Sequence, residues 1–387
     1  MADPPSSPCI SSIPAVKLEG FLAPHSSTEV VVQIGILPST VYREVDGGNS
    51  HFNFDFVISG VTERTLDLVF LKVAAHDADD GLLSYRYLNR NAVGPSGIET
   101  LGRTRIEGRA PLDIFNPFHT FPIEFDPEYL RYMFTFRDAA SGEEFYLGDV
   151  RVHPRLYQQE VSLNLPVRGL VTVADGYDYF SHHRRFAMSI ARDATGGAMQ
   201  QNFARFALDF VHIGADGNTR RMPDEERQVN YDFHFADARR FYSDGEPIYA
   251  PGRGTVVVAV DGHPDLYEGM FDFDSAVARG QVHELAGNYV VIKHNEHEYS
   301  HLFHFMRESL EVVEGQEVAS GELLGRIGFS GAATVYSHLH YQLMDGPDFL
   351  VAAALPARFD RVGFIRGGDR TSVDQTAVNT GDIIWSE

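Results

Sequence analysis

Cysteine is almost missing from this 387-residue chain: Cys9 is the only one. An internal disulfide and a cysteine-built metal cluster are therefore excluded, so any metal site has to be made from histidine and carboxylates. Positive charge is scarce too, with 32 Lys and Arg against 54 Asp and Glu and a formal net charge of −22. That balance argues against a nucleic-acid partner, because affinity for phosphates comes from clustered Lys and Arg. No window approaches the ~20 consecutive apolar residues that a membrane span needs, so no spanning helix is expected. Residues 1–20 have neither the basic start nor the apolar stretch of a secretory leader. The expectation is a periplasmic or extracellular location if a leader was removed, with a cytoplasmic one as the alternative. Composition is silent on oligomeric state.

Histidine, by contrast, is plentiful: there are 17, concentrated at 182–183, 294–304 and 338–340. It is the commonest side-chain ligand for zinc, so such clusters are the first place to look for chemistry. The length fits two domains better than one. Residues 1–18 are rich in Pro and Ser and read as a disordered arm. From 19 to 165, short alternating runs such as Thr28-Glu-Val-Val-Val-Gln-Ile, His51-Phe-Asn-Phe-Asp-Phe-Val-Ile and Tyr132-Met-Phe-Thr-Phe indicate half-buried strands. They predict an antiparallel β-sandwich-like domain, with no motif tied to chemistry. From 166 to 356 a second β-rich region follows, with strands at 255–260, 288–293 and 323–327 and frequent glycine between them. Such punctuation predicts a compact antiparallel sheet. Residues 357–387 form a C-terminal extension. The fold class expected is mainly β.

The sharpest chemical signal is Ser337-His338-Leu339-His340-Tyr341. Residues two apart on a strand share a face, so both imidazoles would sit on one side of the sheet. One could bind a metal while the other meets the substrate or a water; a chance His-x-His on a solvent face is the bland alternative. Residues 297–301 offer a rival, a literal His-Glu-x-x-His. On a helix His297 and His301 would bind zinc with Glu298 as general base, and His294 and His304 would extend the row. The β-branched run at 288–292 and the polar stretch 293–298 favour a strand and hairpin turn instead. Alternation along that strand groups Ser300, Leu302 and His304 on one face and leaves His301 as a surface residue on the other.

Three further stretches precede the His-x-His in a fixed order: Ile248-Tyr-Ala-Pro-Gly-Arg-Gly-Thr-Val-Val, Gly287-Asn-Tyr-Val-Val-Ile-Lys-His, and the glycine ladder from Glu311 to Gly331. Together with Ser337–Tyr341 they closely resemble the lysostaphin-like (beta-lytic, LytM-type) zinc endopeptidases, over roughly residues 170–356. The resemblance implies a lysostaphin-like β-sheet peptidase domain with one zinc held by a His, an Asp and the second His of His-x-His. That last ligand is His340. Arg205-Phe-Ala-Leu-Asp209-Phe matches the family's Asp segment, which makes Asp209 the carboxylate. The compact His-x-x-x-Asp is absent, since Arg205 stands four residues before Asp209. Ser181-His182-His183-Arg184-Arg185 matches a branch that carries its His further upstream, so the ligand is His183, with His182 as the alternative. A competing His and acid pair, His234 and Asp232, lacks the family lead-in. The segment Tyr299-Ser300-His301-Leu302-Phe303-His304 aligns so that His304 joins His338 as a catalytic residue.

The resemblance further implies hydrolysis of peptide cross-links in bacterial peptidoglycan through a zinc-bound water, with stem or cross-bridge peptides as partners. The alternative is a non-catalytic lysostaphin-like regulatory or wall-binding protein. Completeness of the zinc ligands separates the two.

Overall fold

The computed structural model describes residues 27–46, 48–221, 237–333, 336–367 and 369–386; the expected arm at 1–18, Cys9, Asp232 and His234 lie outside them. The chain is mainly β and its strands are almost all antiparallel. It divides into two compact units. Among the described residues, one contains 27–33, 60–110 and 126–153; the other contains those of 34–59, 111–125 and 154–386.

The first unit is built on Thr65–His76, which pairs with Leu82–Asn89 on one side and Tyr129–Asp138 on the other, with Glu144–Val152 beyond. Inward positions begin as Leu66 and Leu68 and continue as Leu71, Val73 and Ala75. The change of parity is made possible by a register shift between Thr135 and Phe136 on the partner strand, which absorbs one extra residue.

The second unit holds every histidine-rich motif. Its main sheet contains β1 (Gly169–Asp175), β2 (Leu208–His212), β3 (Gly254–Val260), β4 (Asn288–Lys293), β5 (Tyr299–Phe305) and β6 (Leu339–Met344). They lie side by side in the order β3-β4-β5-β6-β2-β1. Ile383–Ser386 pairs with β1 and is followed by Val362–Arg366 and Asp369–Val373, so residues 362–386 extend this same sheet. Alternation along β6 sorts its side chains. Leu339, Tyr341 and Leu343 enter a core with Val171, Leu208 and Leu302. On the other face Met344 joins a second apolar cluster with Phe203, Val291 and Phe303.

Because both faces are covered, β4, β5 and β6 are buried at nearly every position. His301 is accordingly not a surface histidine: it is fully buried and its Nε2 lies 2.9 Å from the Gly346 carbonyl. The helical His-Glu-x-x-His reading is also overturned. Residues 294–298 form the turn between β4 and β5, so His297 sits in a turn and His301 in a strand. Glu298 is instead a buried structural acceptor. Its carboxylate takes hydrogen bonds from the Tyr157 hydroxyl at 2.9 Å, the backbone N–H groups of Glu160 and Val161 at 2.8 Å, and the Asn295 amide at 2.7 Å.

Replacing Glu298 by Ala orphans these donors and should cost on the order of 2–4 kcal/mol of stability, read by chemical denaturation. The site histidines should be untouched, so bound metal per folded chain should not change. A stability loss below about 0.5 kcal/mol would contradict this role.

Candidate metal centre

Asp209 is the centre of the histidine-rich face. It lies in β2, 2% exposed, and faces His340 directly across the β2–β6 pair. On its other side it faces Asp175 of β1. His340 in turn faces Phe303 of β5, whose ring stacks on the imidazole with centroids 5.2 Å apart and 4° between planes. Sheet register alone therefore sets Asp209 and His340 side by side.

Three imidazole nitrogens converge on one oxygen, Oδ1 of Asp209: Nδ1 of His340 at 3.0 Å, Nε2 of His338 at 3.4 Å and Nε2 of His183 at 3.5 Å. The remaining ring nitrogens determine which of these carry hydrogen. Nδ1 of His183 lies 3.2 Å from the Gly176 carbonyl and Nδ1 of His338 lies 2.8 Å from the Tyr336 carbonyl. A carbonyl only accepts, so both Nδ1 atoms bear the proton and both Nε2 atoms present a lone pair. His340 is reversed. Its Nε2 donates to Oε1 of Gln342 at 2.9 Å, and the Gln342 amide is itself oriented by its contact with Met344 Sδ at 3.0 Å. That leaves Nδ1 of His340 bare toward Asp209. With all three rings neutral, three lone pairs thus aim at a carboxylate oxygen, an arrangement that is repulsive until a proton or a metal ion brings positive charge there.

The charge states agree. Burial holds the His183 pKa down to about 4, so it is neutral near pH 7. For Asp209 burial alone would raise the pKa, but His338 and His183 outweigh it and hold the carboxyl well below the usual carboxylate range. Burial likewise works against a charged His338, yet the charge of Asp209 wins and raises its pKa. The cluster calls for a positive charge, which a metal ion satisfies. Imidazoles with a carboxylate are also the donor set of a catalytic zinc, so the residues present fit that ion.

His304 reaches the cluster by a backbone irregularity. Simple alternation would turn it, with Leu302, toward the core behind the sheet. The β4–β5 register slips between the Asn288–Phe305 and Val290–Leu302 pairs, and His304 takes a φ of +67°. This bulge re-aims the side chain, so the expected grouping of His304 with Ser300 and Leu302 does not hold. Its ring centroid lies 5.0 Å from that of His338 and 5.9 Å from that of His340. Nδ1 lies 2.8 Å from the Ser330 carbonyl, leaving Nε2 as an acceptor. Burial, then the two neighbouring imidazoles, push the His304 pKa well below its ordinary value. The Ser330 carbonyl comes close because Gly287 and Gly331 both have positive φ and no side chain where their backbones meet.

His183 and Asp209 are also steadied from behind. Arg184 and Arg205 are nearly fully buried and both pair with Asp55, the latter at 2.6 Å. Arg205, standing where the compact motif would carry His, thus points away from the metal centre. Asn202 donates to the His183 carbonyl at 3.0 Å. His182 has a different setting: its side chain is 64% exposed and Nδ1 pairs with Asp175. Two contributors went unforeseen in the sequence. Gln342 extends the His-x-His alternation by one step, a signal that was available. The Tyr336 hydroxyl donates to Oδ2 of Asp209 at 3.2 Å, which nothing in the sequence marks. The cluster opens into a cleft of about 920 Å³ whose other wall is largely apolar, including Phe186, Ile190, Met199 and Phe203.

Residues 240–349 match peptidase family M23. Two relatives from Vibrio cholerae serotype O1, the peptidoglycan DD-endopeptidases ShyC and ShyA, are each 28% identical, over 152 and 153 residues. The matched stretch is 39% of this chain and only 29% of either relative. Among solved structures, the catalytic domain of lysostaphin from Staphylococcus simulans aligns at 20% identity and a TM-score of 0.20, covering 29% of this chain and 74% of that one. His304, His338 and His340 fall within the family match, while His183 and Asp209 lie ahead of it. Residues 240–349 are thus the part of this chain that is similar to peptidase family M23.

Proposed function

We propose that this chain is a zinc metalloendopeptidase that hydrolyses peptide cross-links of bacterial peptidoglycan, with the peptidase portion at residues 166–356. The single observation that carries the reading is the convergence of three imidazole lone pairs on Asp209 beside a fourth, His304, in an open cleft. The wall substrate follows from the names of the two relatives. It brings with it action outside the cytoplasmic membrane, in the periplasm or the extracellular space.

In this reading His183, Asp209 and His340 hold the zinc, through the Nε2, Oδ1 and Nδ1 atoms that already face one another. Zinc, when bound, would supply a Lewis acid for the scissile carbonyl and would bring the pKa of water down toward neutrality. His304 and His338 flank that position with bare Nε2 atoms. One takes the proton of the attacking water, and the pair returns it to the leaving amine. Protonated, they also stabilise the developing oxyanion. Gln342 keeps His340 in the tautomer that leaves Nδ1 free, and Phe303 holds the ring plane. A complete donor set disfavours a non-catalytic regulatory role, for which no such set would be needed. The sheet of the other unit, built on Thr65–His76, serves as a scaffold.

Asp209→Ala and His340→Ala should each purify without stoichiometric zinc. His304→Ala and His338→Ala should keep one zinc per chain and lose about 10²–10⁴-fold in turnover on isolated wall fragments. Zinc retained by His340→Ala, or full activity in His304→Ala, would rule the assignment out. Gln342→Leu removes the acceptor that fixes the His340 tautomer and should weaken zinc roughly 10–100-fold in competition with a chelator. An unchanged affinity would show that Gln342 is only a packing residue.

A further inference from the structure

Arg185 is the only lysine or arginine among the described residues lining the cleft. It stands two residues beyond His183 and is half-buried. Its guanidinium lies 4.6 Å from the ring centroid of Phe115 and 5.4 Å from that of Tyr179. Among the described residues no carboxylate pairs with it, whereas its neighbour Arg184 is committed to Asp55. Of the two acids among the described residues lining the cleft, Asp209 lies among the site histidines and Asp175 pairs with His182. In a chain with 22 more acidic than basic side chains, a guanidinium left without a carboxylate in the cleft of the metal site calls for an explanation.

Packing supplies one. Aromatic rings attract a guanidinium and limit its rotamers, while its N–H edge stays available. That edge is a rigid fork matched to the two oxygens of a carboxylate. Ordering the side chain beforehand lowers the cost of binding. The apolar wall formed by Phe186, Ile190 and Met199 lowers the local dielectric and strengthens such a pair relative to one in bulk water.

We infer that Arg185 is a specificity residue that binds a carboxylate of the substrate peptide, so that the cleft selects acidic wall peptides over their amidated counterparts. The inference rests on the peptidase reading and names the feature of the substrate that the cleft recognises. Arg185 takes no part in bond breaking.

The test uses a cross-linked stem-peptide dimer with free carboxylates and the same dimer with every carboxylate converted to primary amide. Specificity constants, kcat/KM, are measured for both on the zinc-loaded full chain, Arg185→Gln and Arg185→Lys. Binding of both is measured on zinc-loaded His304→Ala. The native chain should prefer the acidic dimer by roughly 10- to 100-fold, the range of a charged hydrogen-bonded contact. Arg185→Gln should lose that preference while handling the amidated dimer within about twofold of the native chain, and Arg185→Lys should keep part of it. Equal cleavage of both dimers by the native chain, or a preference that survives in Arg185→Gln, overturns the inference and leaves the peptidase reading standing. Tighter binding of the acidic dimer that Arg185→Gln in the same His304→Ala background abolishes, with neither dimer cut by the native chain, keeps the inference and removes the peptidase reading. Failure to bind either dimer overturns the inference as well.

Discussion

The organising constraint of this protein is a carboxylate oxygen surrounded by acceptors. Oδ1 of Asp209 sits 3.0–3.5 Å from three imidazole nitrogens whose opposite nitrogens have spent their hydrogens elsewhere. Buried acceptors facing one another repel, and the Tyr336 hydroxyl donates to the other carboxylate oxygen, Oδ2. Such a cluster is tolerated in a folded chain when the surrounding structure holds it in place and a cation compensates it. The first half of that condition is visible here, since the donors and acceptors behind the cluster fix each ring; the second half is the metal ion that we propose the cluster holds.

Much of the unit can be understood as support for that arrangement. Cross-strand pairing of β2 with β6, and of β6 with β5, places Asp209, His340 and Phe303 in one row. The carbonyls of Gly176, Tyr336 and Ser330 each hold one imidazole. Asp55, from a segment more than a hundred residues upstream, anchors the two arginines that flank His183 and precede Asp209. The cost of burying those three charges is offset by their mutual pairing, and removing Asp55 would leave two guanidinium groups buried without a carboxylate. Metal ligands on rigid strands with hydrogen-bonded neighbours are held more precisely than ligands on free loops.

How far the sequence revealed this depends on the kind of signal. Two-residue alternation at 338–340 carries a shared face for the two histidines, and the same rule extends to Gln342. The strands at 255–260 and 288–293 follow from β-branched runs and lie within one residue of their positions in the sheet. His304 is different, because its orientation comes from a bulge and a positive φ, and alternation assigns it to the wrong face. His301 misleads for a related reason: a strand in the middle of a sheet covered on both sides has no surface face, so its polar residues are buried too. The literal His-Glu-x-x-His dissolves once its residues lie across a hairpin, where Glu298 serves as a backbone acceptor. Asp55 was beyond reach, since long-range ion pairs leave no local pattern.

Anomalous diffraction at the zinc edge, on crystals of the full chain grown with zinc, is the most direct measurement. A single peak is expected, within about 2.0–2.2 Å of His183 Nε2, Asp209 Oδ1 and His340 Nδ1. A peak bonded to His304 and His338 in place of Asp209 would contradict the assignment of Asp209 as the carboxylate ligand. The absence of any peak at Asp209 would contradict the assignment of this cluster as a zinc site.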